Sequence, residues 1–158
     1  MFQSFGIKRY GMQGLKELVA SWGEPEFRVT QLLYWLYGQG ARDYQQMSNL
    51  PNKLRAKLEA EEPLFFPEVL RRRVSADKTR KYLLRLADGA KVETVGIPTK
   101  GRLTVCFSTQ SGCAMGCAFC ATGSGGFTRS LKPGEMVDQI TVVSQDFGAR
   151  VTNAVAMG

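Results

Sequence analysis

LTVCFSTQSGCAMGCAFC, residues 103–120, is the stretch on which the fold turns. Its first six residues alternate: Leu103, Val105 and Phe107 share one face of a strand, and Thr104, Cys106 and Ser108 share the other. A cysteine-bearing loop comes next. Pro133 then suits the first turn of a helix whose Met136, Ile140, Val143 and Phe147 form an apolar stripe, and Gly148 can end it. Residues 151–156 read as a second, buried strand. Strand, loop, helix and strand make one β-α-β unit, the building block of a parallel sheet or barrel. A full parallel barrel takes about 200 residues or more, so a chain that reaches only Gly158 is expected to stop near the barrel's second strand.

Upstream, residues 68–100 predict a small antiparallel sheet. Runs at 69–74, 80–86 and 91–97 are β-like, with turns at Ala76-Asp77-Lys78 and Asp88-Gly89. The first third predicts helices. Leu15, Leu18, Val19 and Trp22 recur at helical spacing before Gly23. A second helix begins at Pro25, carries Val29, Leu32, Leu33 and Leu36, and stops at Gly38; a third starts near Pro51 with Leu54 and Leu58. Such stripes are what any amphipathic helix needs for packing. The chain thus divides into three regions: a helical accessory domain over 1–62, left through Pro63 and Pro67; a small basic antiparallel β segment over 63–100; and the start of a barrel with its cysteine loop over 101–158.

The chain carries 21 Lys and Arg against 14 Asp and Glu, a formal net charge of +7. The excess is densest at Arg71, Arg72, Arg73, Lys78, Arg80, Lys81 and Arg85. Such a field attracts a polyanion, RNA or DNA being the usual partner, although a solvated basic hairpin has the same composition. A hydrophobic content of 44% suffices for a core. No long apolar run or secretory leader is apparent, so a cytoplasmic protein with no membrane association is expected. Histidine is absent, which leaves proton transfer to a carboxylate, a thiol or water.

Cys106, Cys113, Cys117 and Cys120 are the only cysteines, and their crowding reads as a metal or redox site rather than a disulfide scaffold. Cys113, Cys117 and Cys120 have the spacing C-x3-C-x2-C with an aromatic residue before the last. Three thiolates on a tight loop can hold three corners of a 4Fe-4S cluster and leave one iron without a protein ligand. S-adenosylmethionine can chelate that iron, placing its sulfonium to be split by one electron. A structural zinc site, which would prefer paired knuckles or histidine, is the main alternative; an electron-transfer cluster would want a fourth cysteine. The run Thr122-Gly-Ser-Gly-Gly-Phe127 lacks the Gly-Lys-Ser/Thr of a nucleotide P-loop, and its glycines are expected to relieve backbone crowding.

Taken with Gly126-Phe127-Thr128-Arg129-Ser130-Leu131, Val92-Glu93-Thr94-Val95 and Ile97-Pro98, the cysteine motif resembles that of the RlmN/Cfr family of radical S-adenosylmethionine RNA methyltransferases. The resemblance covers nearly the whole chain. Phe27-Arg28 and residues 31–37 resemble the family's N-terminal accessory domain, and residues 80–84 its hairpin. The implied fold is an α+β N-terminal region, a small helical domain plus antiparallel β hairpins, followed by the first β-α-β unit of a truncated radical S-adenosylmethionine (β/α) barrel.

The resemblance implies methylation of carbon 2 of an adenine in 23S ribosomal RNA, with transfer RNA as a further substrate. It also implies an electron-donating reductant such as flavodoxin, and a monomer. In the family a cysteine near the C-terminus is methylated and, after hydrogen abstraction, joined to the base; a second cysteine resolves the adduct through a transient disulfide. Cys106 matches the resolving position, and Glu93 matches a carboxylate assigned as proton acceptor, a task Cys106 could also perform. The methyl-carrying cysteine and a Gly-Glu-Pro segment expected after Met157-Gly158 are absent, so this chain alone is expected not to methylate RNA. Ser130 stands where Asn is usual and Ser111 where Val is frequent. Alternatives are methylation at carbon 8, as in the Cfr branch, an RNA-binding module with structural zinc, and a truncated non-functional product.

Overall fold

The computed structural model describes residues 3–157, with side chains from Gly6 onward; Met1, Phe2 and Gly158, at the ends of the expected regions 1–62 and 101–158, lie outside the described residues. The chain forms two compact units, residues 1–66 and 67–158.

The first unit is helical, as its periodicity predicts. After a 3-10 segment at Gln3–Arg9 come α1 (Met12–Ser21), α2 (Phe27–Leu33), which runs on through a widened turn at Tyr34–Gly38, and α3 (Asn52–Glu61). Leu15, Val19, Val29, Leu32, Leu36, Leu54 and Leu58, spaced three or four apart within each helix, are all buried in one core with Tyr44 and Met47. Burial of each such aliphatic side chain contributes about 1.5–3 kcal/mol. The polar exit of the unit is tied down as well. Glu62 accepts from Arg9 at 2.7 Å and from the Tyr10 hydroxyl at 2.9 Å, and its carbonyl accepts from the Tyr44 hydroxyl.

The second unit is built on β1 (Glu68–Val74), β2 (Arg80–Arg85), β3 (Lys91–Thr99), β4 (Arg102–Ser108) and β7 (Asn153–Met157), which form a five-stranded sheet in the order β1-β2-β3-β4-β7. A separate two-stranded hairpin, β5 (Gln110–Gly112) with β6 (Phe127–Ser130), interrupts the chain between β4 and β7 and encloses a single helical turn, α4 (Ala121–Ser124). Strands β1 to β4 are antiparallel, whereas β4 and β7 are parallel and joined through α5 (Pro133–Phe147), which completes the expected β-α-β unit. The region expected over 63–100 is divided: residues 63–66 fall in the first unit, and residues 67–100 are continuous with the strand-helix-strand segment that follows. Val95 pairs with Cys106 and Ile97 with Thr104, so the basic hairpin runs directly into the cysteine-bearing half. β3's ladder groups would otherwise be left unpaired.

Helix α5 starts as its sequence requires, with Pro133 in the first turn and the Glu135 carboxylate accepting the Lys132 N–H at 2.7 Å, and ends on Gly148 in the left-handed conformation. It covers one face of β3 and β4. Val142 and Val143 pack with Tyr82, Leu84, Val92, Leu103 and Val105. Gly96 makes this approach possible: a β-carbon there would lie 2.6 Å from both Val143 and Phe147. The last strand departs from expectation. β7 is exposed along its whole length rather than buried, because it lies at the end of the strand order while α5 packs over β3 and β4.

Candidate functional site

The three clustered cysteines occupy the loop of the small β5–β6 hairpin. Gln110 pairs with Ser130 and Ser111 with Arg129, and the Cys113 N–H closes the loop onto the Gly126 carbonyl at 2.9 Å. Gly112 is required here. Its φ is +73°, and a β-carbon would fall 1.9 Å from the Gly126 oxygen. Within the loop the Cys120 N–H bonds the Cys117 carbonyl at 3.0 Å, and α4 starts at the next residue. The glycine run is crowded at only one point. A β-carbon on Gly123 would meet the Cys117 backbone at 3.4 Å and one on Gly125 only the Thr122 carbonyl at 3.9 Å, while Gly126 has open space beside it and supplies a positive φ.

Cys113 and Cys120 are half-buried, Cys117 is exposed, and all four cysteines are free thiols. Backbone N–H groups of Gly123 and then Thr122 directed at the Cys120 sulfur hold its pKa below the ordinary thiol value, favouring the thiolate, the form in which a cysteine can ligate a metal. Met115 is 78% and Phe119 93% exposed, so the loop presents apolar side chains beside its sulfurs. Among the described residues no three His, Cys, Asp or Glu side chains converge to hold a single metal ion. Three soft thiolate donors on one loop are a donor set that suits a cubic iron-sulfur cluster, each thiolate on a different iron.

Glu93 and Cys106 lie on the other face of the large sheet, away from α5. Register sorts the strands: Arg71 and Arg73 of β1, Lys81 and Leu83 of β2, Glu93 and Val95 of β3, and Cys106 and Ser108 of β4 share this open face. Glu93 pairs with Lys81 at 2.7 Å, with both side chains about half exposed. Its backbone carbonyl accepts the Ser108 hydroxyl at 2.7 Å. Glu93 also lines a pocket of about 310 Å³ with Lys81, Leu83, Ser108, Ala121 and Thr122, so it shares a cavity with the residues just after Cys120. Cys106 sits beside Val95, two residues along β3 from Glu93, and is not part of that lining. Burial raises its thiol pKa.

Three positioning residues carry no signal by spacing. The Arg129 guanidinium bonds Glu135 in bidentate fashion at 2.8 and 2.7 Å and Asp88 at 2.7 Å, which ties the cysteine hairpin to α5 and to the β2–β3 turn. Gln139 is fully buried; its amide meets both the N–H and the carbonyl of Ser108 at 2.9 Å where β4 leaves the sheet. Asp146 on α5 receives Arg72, Arg80 and the Tyr82 hydroxyl. Burial opposes its ionisation, but these donors outweigh burial and hold the carboxyl below the usual range.

A family profile described as "Ribosomal RNA large subunit methyltransferase N-terminal domain" matches residues 6–62. Over 93% of its length the chain is 48% identical to a probable dual-specificity RNA methyltransferase RlmN of Microcystis aeruginosa, covering 43% of that protein. It is 49% identical over 91% of its length to the Synechocystis protein of the same name, covering 41% of it. The crystal structure of a radical SAM methyltransferase from Sphaerobacter thermophilus superposes with a TM-score of 0.84 at 38% identity, across 96% of this chain and 47% of that one. The chain thus spans less than half the length of the relatives it matches. Helical unit, basic hairpin and cysteine loop all fall within a single continuous likeness to the N-terminal portion of the RlmN methyltransferases.

Proposed function

We propose that the protein acts in radical methylation of RNA, with carbon 2 of an adenine in 23S ribosomal RNA as the target and transfer RNA as a second substrate. One observation carries this reading: the C-x3-C-x2-C loop is folded by β5 and β6 so that the segment after Cys120 shares a cavity with Glu93. Cys113, Cys117 and Cys120 would hold a 4Fe-4S cluster, and its unligated iron would receive S-adenosylmethionine. When bound, the cofactor pair supplies the radical chemistry that an unreactive aromatic carbon needs.

The chain's own residues do the rest. The hairpin keeps the thiols on one loop, and the N–H groups of Thr122 and Gly123 favour the Cys120 thiolate. Glu93, reachable from the cavity and paired with Lys81, accepts the proton that the base must lose. Cys106, half-buried on the same sheet face, stays a protonated thiol at neutral pH until it resolves a covalent adduct. The family resemblance supports these two roles, the methyl-cysteine route and an external reductant such as flavodoxin.

Anaerobic reconstitution with iron and sulfide tests the reading. The brown absorbance of a 4Fe-4S cluster is expected, together with a reduced-state spin-resonance signal that changes on adding S-adenosylmethionine; C113A, C117A and C120A should each abolish the colour. A colourless chain that takes up one zinc per molecule would defeat the proposal. With substrate RNA and the whole family-length protein, mass spectrometry of the modified nucleotide separates carbon 2 from carbon 8.

A further inference from the structure

The strand register divides the dense basic cluster into two chemically different sets. Arg72 and Arg80 face α5 and are bound by Asp146, while Arg85 is paired with Glu68. These cations are therefore already partnered within the fold. Arg71 and Arg73 alternate with Arg72 onto the opposite, open face, are exposed, and have no acidic partner among the described residues. With Lys81, Leu83 and Glu93 they line a pocket of about 210 Å³. Lys81, Leu83 and Glu93 also line the cavity that reaches Ala121 and Thr122 behind the last cysteine. The two pockets are therefore consecutive parts of one trough, with arginines at one end and the cysteine loop at the other.

We infer that Arg71 and Arg73 form a phosphate subsite for single-stranded RNA, which holds the backbone next to the target nucleotide while that nucleotide lies along the trough toward Glu93 and Thr122. This rests on the reading of the site as an RNA-modifying centre and adds where the strand is gripped. The chemistry is specific in kind. Two guanidinium groups supply forked donors that match phosphate oxygens, and Leu83 gives the trough an apolar floor at its middle. Among the described residues Glu93 is the one acidic side chain lining either pocket, and Lys81 offsets its charge, so the arginine end keeps a positive surplus for a polyanion.

The test is salt-dependent binding of a short fluorescent single-stranded RNA to the 158-residue chain, compared with R71A/R73A and with K100A/R150A, which removes two exposed charges from loops outside this face. Each single-strand phosphate contact contributes roughly 0.7 to the slope of log affinity against log salt. R71A/R73A should lower that slope by roughly 1.4, K100A/R150A should leave it unchanged, and R71K/R73K should restore most of it. An unchanged slope in R71A/R73A, or equal losses in both alanine pairs, would overturn the subsite. Circular dichroism of each variant must match the parent, and R71K/R73K gives a readout that loss of fold cannot imitate. Cluster absorbance is measured on the same samples. A parent chain that binds RNA through these arginines yet forms no cluster would sink the radical reading and leave the subsite standing; a cluster with no arginine-dependent binding would do the reverse.

Discussion

Cys106 and Cys120 are both thiols on the second unit, yet their surroundings push them in opposite directions. Burial raises the pKa of Cys106, while the N–H groups of Gly123 and Thr122 lower that of Cys120. Alkylation requires the thiolate, so in the metal-free chain Cys120 should be labelled by iodoacetamide at a lower pH than Cys106. Peptide mapping across a pH series reads both sites in one unmutated sample. Labelling of Cys106 first, or of both at one pH, would contradict the assigned environments. The same contrast suits the proposed division of labour, in which a ligand must be ionised and a resolving thiol must wait. Alternation alone places Cys106 with Thr104 and Ser108, and the structure agrees, since Leu103 and Val105 are buried while Cys106 is only partly so. The pKa difference is not legible in the sequence, because it arises from burial at Cys106 and from backbone N–H groups at Cys120, both of which only the folded chain defines.

At the scale of elements, the cysteine hairpin is short, and Arg129 ties it to α5 and to the β2–β3 turn. Replacing Arg129 with Met would leave the Glu135 and Asp88 carboxylates, both partly buried, without their cation. A loss of about 2 kcal/mol is expected, below the roughly 3–5 typical of a fully buried pair because Arg129 retains some exposure. Hydrogen exchange should then quicken at Ser111 and Cys113 while the β2–β3 ladder keeps its protection; uniform exchange throughout would show that the hairpin does not depend on this tie. Periodicity recovers α5 from Pro133 to Phe147 and the parallel return of β7 because apolar spacing, Pro and Gly are local signals. It misses Arg129 and Gln139, whose partners lie as far as 41 and 31 residues away in the chain and leave no periodic trace. It also misjudges β7, where apolar composition suggests burial that the strand's place in the sheet does not provide.

For the second unit as a whole, Asp146 is the point where three elements meet. It joins α5 to β1 through Arg72 and to β2 through Arg80 and Tyr82, and the Arg80 guanidinium also stacks 3.9 Å from the centre of the Phe147 ring. The arginines it binds face α5, on the side of the sheet opposite to Arg71 and Arg73 of the proposed phosphate subsite. Because the folded-state pKa of Asp146 is depressed, its stabilisation is fully present above the unfolded carboxylate value of about 3.9 and is lost as pH falls through the lower folded value. D146N should therefore cost about 1–2 kcal/mol at neutral pH, a figure that discounts the half-exposed Arg72, and the cost should shrink toward zero in acid, where the parent loses the same charge. Urea titrations at neutral pH and near pH 3 measure both quantities. A penalty that stays constant with pH would mean that Asp146 acts by shape rather than charge.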